Sequence, residues 1–259
     1  MSNQNKKVVY TAIFGGYDTL QEPQVDLPEW DFICFTEQSL RSERWEIKQI
    51  RPPIDGDSVR SARKVKILPH EYLSEYDISV WVDGNIVIRG NLNELVANQL
   101  QEHSFAAYTH RDTDPTGREG IYEEAAALIR MTKAGKYKDD PKIIRKQVRA
   151  YRQEGYPEKN GLLMTSVLLR RHNDPTLKEV MNDWWHEVKN KSRRDQLSFN
   201  YVAWKHNFDY KAIEDDGWNN EYFKRVYHYV PWYKKPKLYF DYVTKRIKHF
   251  MYGEESTSN

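Results

Sequence analysis

A largely apolar run, Ile78 to Val82, broken only by Ser79, stops abruptly at Asp83-Gly84-Asn85, and a second apolar run, Ile86 to Ile88, follows at once. A strand turns successive side chains to opposite faces. A strand with apolar residues on both faces, Ile78, Val80 and Val82 on one and Trp81 on the other, needs cover on both, which suits a central place in a parallel or mixed sheet. Other segments read as its partners: "KVVYTAI" (7–13), stopped by Gly15-Gly16, then "WDFICFTE" (30–37), "WEIKQI" (45–50), "SFAAYTH" (104–110) and "GLLMTSVLLRR" (161–171). Helical patterns separate them. One spans 58–73 with Ser58 as its cap, and another runs from about Glu119 to Lys133. A third is capped by Asp140, opened by Pro141 and followed by Gly155, and a fourth repeats the device with Asp174-Pro175. Residues 193–204 read as a helix entry. Strands alternating with helices predict an α/β sandwich.

Bulk properties narrow the partners. The 259 residues suffice for a proper core, and the net charge of +2 excludes a general polyanion binder. No nucleic-acid motif is present either. Cys34 is the lone cysteine, so no internal disulfide forms and a reducing compartment is expected. The N-terminus carries no signal-peptide core, and no stretch reaches the roughly 20 apolar residues of a membrane span. A soluble, cytoplasmic protein is the expectation. The 18 Tyr and 8 Trp provide flat apolar faces with polar tips, suited to a core, a sugar site or a membrane interface. Charge is concentrated at the C-terminus. Lys224 to Tyr252 holds eight Lys/Arg against one Asp. Within it, Phe240, Val243, Ile247, Phe250 and Met251 share one helical face flanked by Arg246 and Lys248. Such a tail, 237–259, reads as a basic amphipathic helix for an anionic membrane surface, or as a helix docked on the protein's own core.

Ligands of open α/β sheets bind beyond the carboxyl ends of the strands. Asp83 stands at such an end, and Gly84 permits a close approach of backbone and ligand. Asp83 and Asn85 present oxygens for one hard cation, Mg²⁺ or Mn²⁺, shared with phosphate oxygens. A plain polar turn is the alternative. Upstream, "SVRSARKVK" groups Arg60, Arg63, Lys64 and Lys66, which suits either a diphosphate or a solvated basic face.

Together these motifs resemble the GT-A nucleotide-sugar glycosyltransferases. The similarity is distant to glycosyltransferase family 8 and nearer to the mucilage-related glycosyltransferase-like domain family. "SVRSARKVKILPHEYL", "SVWVDGNIVI", "THRDTDPTGREGIYEEAAALI" and "RRDQLSFNYV" carry it, over residues 7–236. The resemblance implies a single GT-A (Rossmann-like) domain with a mixed sheet flanked by helices, extending over 1–236. It implies a nucleoside diphosphate sugar donor, UDP-linked, and a saccharide or lipid-linked acceptor of cell-surface polysaccharide or glycolipid synthesis. A divalent metal and retention of configuration follow from the same resemblance. Asp83 matches the first acid of the metal motif. Asn85 replaces the usual second acid, a weaker ligand that also motivates a non-catalytic binding module as the rival reading. His228 matches the last metal ligand, with a core histidine as its alternative. Lys234 matches the lysine that grips the leaving diphosphate. Thr11, Ala12, Phe14, Gly16, Tyr17 and Asp18 match the loop holding base and ribose. Arg60, Arg63 and Lys66 are the bases near the phosphates, with no choice among them. Asp195 and Gln196 match the pair beside the anomeric carbon, although Asp195 also suits a helix N-terminus. Asn200 follows as the matching Asn. His110, Arg111, Glu123, Glu124 and Asn160 are expected around donor sugar or acceptor, unless they are ordinary loop and helix-surface groups.

Overall fold

The apolar run forms the middle strand of the molecule. In the computed structural model, which describes residues 5–227, β1 (Lys7–Ile13), β2 (Trp30–Thr36), β3 (Glu46–Gln49) and β4 (Ile78–Val82) lie parallel. The remaining strands are β5 (Ile86–Ile88), β6 (Phe105–Thr109), β7 (Leu163–Arg170), β8 (Lys211–Ile213) and β9 (Phe223–Arg225). Seven of these make one mixed sheet in the order β3-β2-β1-β4-β7-β6-β8, and β5 pairs with β9 apart from it. β4 is parallel to β1 and antiparallel to β7.

The helices are α1 (Ser58–Ile67), α2 (Pro69–Tyr72), α3 (Leu92–Gln99), α4 (His110–Thr113), α5 (Ile121–Lys133), α6 (Pro141–Gln153), α7 (Pro175–Asn190) and α8 (Phe199–Lys205). Both faces of β4 are covered, as apolar residues on both sides of the strand require. Trp81 packs with Tyr10, Val65, Val180 and Trp184 on one face, while Val80 and Val82 pack with Leu92, Leu95 and Val96 on the other. Truncating Trp81, 1% exposed, would leave a cavity of the kind that costs about 3–5 kcal/mol.

Local capping chemistry sets the helix starts. Asp140 Oδ1 accepts from Lys142 N at 2.8 Å, and Asp174 Oδ1 accepts from Leu177 N at 2.8 Å. Each acid is followed by a proline in the first turn, where the missing N–H costs nothing. Gly155 adopts φ +85° just beyond α6.

Some boundaries and elements differ from expectation. The helix expected over 58–73 breaks at Leu68, because Pro69 disfavours helical backbone before it and opens α2 instead. The strand expected to reach residue 110 stops at Thr109, whose hydroxyl accepts from Asp112 N at 3.2 Å and starts α4. α3 and the three-residue strands β8 and β9 were not expected. The chain up to Val226 forms one compact unit. His228, Lys234 and the helix expected in the tail lie outside the described residues.

Candidate active site

β1, β2 and β4 all end at one edge of the sheet. Antiparallel pairing makes β7 begin and β6 end at that same edge. Four charged side chains converge there. Lys66 Nζ lies 2.6 Å from Asp195 Oδ2 and 3.4 Å from Asp83 Oδ1. Arg63 Nε is 3.2 Å from Asp195 Oδ1, and its Nη1 is 3.7 Å from Asp83 Oδ1. The side chains of Lys66 and Asp195 are 0% and 2% exposed, whereas Arg63 and Asp83 keep 17% and 28%. The pair that meets solvent is therefore Arg63 and Asp83. The buried pair stands behind it.

Helix geometry explains the reach of α1. Its Ser58 end sits at the site, since a Cβ on Gly15 would fall 2.9 Å from Ser58 Oγ. Helical side chains lean toward the N-terminus. Lys66, near the other end, thus runs its stem back along the helix, its ammonium 5.6 Å from the Trp81 ring centre.

Burial and neighbouring charge oppose one another in this cluster. Burial pushes the Asp195 carboxyl up, but Arg63 and Lys66 outweigh it and hold the group far below the usual carboxylate range. Burial lowers the Lys66 ammonium below its ordinary value, against the pull of Asp195 and Asp83. Burial also opposes the Arg63 charge, yet Asp195 and then Asp83 raise it overall. Two basic and two acidic side chains give the set a formal charge of zero.

Two further groups complete it. Trp81 Nε1 donates to Asp83 Oδ1 at 2.9 Å, and Thr165 Oγ1 donates to Asp195 Oδ2 at 2.9 Å. Neither was singled out from the sequence. Trp81 sits two residues before Asp83, hence on the same face of the strand. Thr165 is a polar interruption in an apolar run, at an irregularity where the β6 register jumps from Leu168 to Met164. Bulges of this kind re-aim side chains beside active sites.

The loop after β1 packs on the acidic turn. A Cβ at Gly84 would sit 3.1 Å from Asp18 Cβ and 3.2 Å from Ile13 Cγ1, so only glycine fits without displacement. Gly15 and Gly16 take φ +69° and +61°, and Gly15 N donates to Glu37 Oε1 at 2.7 Å. Thr11, Ala12 and Phe14 are buried at its base, and Tyr17 is exposed at its tip. The Thr11 hydroxyl is buried without a hydrogen-bond partner.

Other candidates have different settings. Arg60 turns away, with Nε on Val188 O at 3.0 Å, Nη2 on Lys191 O at 2.8 Å and Nη1 on Asp57 at 2.7 Å. All its nitrogens are committed, chiefly to the end of α7. Asn200 is buried, accepting from Leu163 N at 3.1 Å and donating to Tyr210 OH at 2.9 Å. Glu123 accepts from Glu119 N at 2.8 Å, and Asn160 Nδ2 reaches Tyr156 OH at 3.4 Å. Arg111 pairs with Asp112 at 3.2 Å on the surface. Gln196, beside Asp195, is buried with its Nε2 unpartnered.

His110 and Glu124 belong to a buried network. Arg118 Nε donates to Glu124 Oε2 at 2.7 Å, and its Nη2 meets His110 Nε2 at 2.8 Å. Burial and then the Arg118 charge lower the His110 pKa, so its ring is neutral. Arg194 Nη2, 4.0 Å from Glu124, links this network to the residue beside Asp195.

A divalent cation would find few protein ligands. Among the described residues no three His, Cys, Asp or Glu cluster around a point. The contacts to Asp83 fall on Oδ1, and the Asn85 carboxamide nitrogen donates to Val226 O at 3.0 Å. The donor set that remains, one carboxylate oxygen and one carboxamide oxygen, fits a cation held mainly by substrate phosphates.

A mixed sheet of this order flanked by helices, with an acidic turn leaving its central strand and cations facing that turn, is the α/β architecture expected of a GT-A domain. The chain belongs to the TOD1/MUCI70 glycosyltransferase-like domain family, whose model matches residues 35–228. Three solved structures are similar to it at low sequence identity. The apo WbbM bifunctional enzyme aligns with TM-score 0.44 and 9% identity, over 82% of this chain and 39% of that one. Mouse xyloside xylosyltransferase 1 aligns with TM-score 0.41 and 10% identity, over 81% and 84%. GlyE of Streptococcus pneumoniae TIGR4 aligns with TM-score 0.42 and 10% identity, over 98% and 52%. This chain thus spans less than two-thirds of WbbM and GlyE. No curated protein matches it.

Proposed function

We propose that the protein transfers a sugar from a nucleoside diphosphate sugar, UDP-linked, to a saccharide or lipid-linked saccharide in cell-surface polysaccharide or glycolipid synthesis. One observation carries this reading: Arg63, Lys66, Asp83 and Asp195 converge at the carboxyl edge, beneath the loop after β1. Leaving-group charge needs a preorganised cation, and Arg63 is the partly exposed one. Asp195 stays anionic beside the site, where it can stabilise positive charge developing at the anomeric carbon. Gln196 Nε2, unpartnered, is free to donate to a sugar hydroxyl. A Mg²⁺ or Mn²⁺ arriving with the donor would be held by Asp83 and Asn85, with His228 as a further ligand, and would neutralise diphosphate charge. Retention of configuration is part of this proposal.

The test is a panel of UDP- and GDP-sugars with Mn²⁺ or EDTA, reading free nucleoside diphosphate. Release from one donor, abolished by EDTA, supports donor class and metal together. Release insensitive to EDTA keeps the enzyme and removes the metal. The rival reading, a nucleotide-sugar binding module, draws on Asn85, whose nitrogen is tied to Val226. UDP binding by calorimetry with no release from any donor, in the presence of acceptor glycans, would favour it.

The basic tail, 237–259, is proposed to hold the protein at the cytoplasmic face of a membrane, although no described helix is long and apolar enough to cross one. Each Lys or Arg near anionic lipid contributes ~1 kcal/mol. Removing 238–259 is expected to abolish co-sedimentation with phosphatidylserine vesicles. Unchanged sedimentation would remove the tail from membrane binding.

A further inference from the structure

Arg170 is a fully buried guanidinium with no carboxylate within ion-pair distance among the described residues. A buried charge without a counter-ion is costly, and no step of the proposed transfer uses it. Its contacts explain where it is spent. Nη1 donates to the main-chain carbonyl of Lys66 at 2.9 Å, and Nη2 donates to Tyr10 OH. Tyr10 OH in turn donates to the same Lys66 carbonyl at 2.8 Å. A side chain from β7 and one from β1 thus close a triangle on one peptide oxygen. That oxygen lies in the last turn of α1, where carbonyls have no intrahelical donor.

Lys66 is therefore pinned at its backbone and loaded at its tip. Its main chain is gripped below, and its ammonium reaches upward to Asp195 at 2.6 Å and Asp83 at 3.4 Å. We propose that Arg170 and Tyr10 are positioning residues, which fix the Lys66 carbonyl and so set how far its ammonium reaches between Asp195 and Asp83. Both are fully buried and act through Lys66. A capping role alone would require a donor at this carbonyl. It would not require two from different strands that also bond each other. Displacements of about 1 Å in a supporting group suffice to lower turnover ~100-fold.

The test uses the full chain. Tyr10→Phe removes one oxygen, Arg170→Met removes the charge at similar volume, and Arg170→Lys keeps a donor. The primary readout is the Nζ ammonium resonance of Lys66 in a lysine-selective ¹⁵N NMR spectrum, assigned with Lys66→Met. The native protein is expected to show a sheltered signal that shifts or broadens in Tyr10→Phe and Arg170→Met and partly returns in Arg170→Lys. Kinetically, and resting on the proposed transfer, kcat for donor turnover falls about 10-fold or more while donor KM stays within about twofold. In a Lys66→Met background, Arg170→Met has no further effect on kcat, because the two act in series. An unmoved Lys66 signal in both variants, or no sheltered signal in the native protein, overturns the proposal. So does a fall in melting temperature with unchanged kcat per folded molecule. If no donor is turned over by the native protein, the transfer reading fails while the NMR result still decides the positioning role. Should Arg170→Met not fold, Tyr10→Phe decides it.

Discussion

Asp195→Asn is expected to lower donor turnover by ~1000-fold, the scale seen when one preorganised charge is removed from a water-excluded site. It is also expected to cost about 3–5 kcal/mol of stability, because breaking a buried ion pair strands its partner. That partner is Lys66, with no exposed surface and 2.6 Å from the lost charge. The two effects separate in a double variant. Lys66→Met/Asp195→Asn removes both buried charges and should recover most of the stability, since Arg63 retains Asp83 at 3.7 Å. It should recover none of the turnover. A purely structural Asp195, such as an acid at a helix start, predicts the opposite: recovery of both. pH adds a check on sign. The native Asp195 carboxyl is depressed below its unfolded value by Arg63 and Lys66. Its contribution is then complete above about pH 4 and is lost as pH falls further through the folded value. Urea midpoints of native protein and single variant should differ fully at pH 7 and converge below pH 4. A constant gap across that range would contradict the charge argument.

Most of the scaffold was legible because it depends on near neighbours in the chain. Asp140-Pro141 and Asp174-Pro175 specify helix starts through bonds three residues long or less. The run Ile78–Val82 announces a two-sided strand without reference to its partners. α3 escaped notice because eight residues with Leu92, Leu95 and Val96 inward give a short amphipathic pattern. β8 and β9 have only three residues each, and their pairing with β6 and β5 is a tertiary event that no local signal encodes.

The site divides the same way. Asp83 stood out as an acid at the end of an apolar run, and Asp195 through its resemblance to the Asp-Gln pair of the family. The basic run 58–66 was harder, since helical phase places Arg60 and Arg63 nearly together. What separates them is Asp57 and the end of α7, which claim Arg60. Lys66 looked like a surface phosphate ligand by residue type and is instead the most buried member of the cluster. Burial of a charged side chain depends on a partner that arrives 129 positions later, and spacing within the helix carries no trace of it. Trp81 and Thr165 were hidden for the converse reason: each reads as core until its polar atom is placed.

Asp83→Asn separates the metal from the side chains around it. Asparagine keeps the shape and can still accept from Trp81 Nε1, now at 2.9 Å from the carboxylate. Turnover is expected to fall ~100-fold. Stability should change by no more than about 1 kcal/mol, because Asp83 is 28% exposed and its pairs are screened. Binding of UDP carries the sharper sign. Without metal, a carboxylate beside a diphosphate repels it, so the neutral variant should bind UDP as tightly as the native protein or more so. With Mn²⁺, the native protein should gain affinity by bridging Asp83 to the phosphates, and the variant should gain little. Calorimetry of both proteins with UDP, with and without Mn²⁺, closes the cycle. An equal gain in both would place the cation elsewhere. No gain in either would leave the leaving group to Arg63 and make Asp83 its orienting anion. Formal charge favours the gain in the native protein alone: Arg63, Lys66, Asp83 and Asp195 sum to zero, so a departing diphosphate needs a further cation to be neutralised.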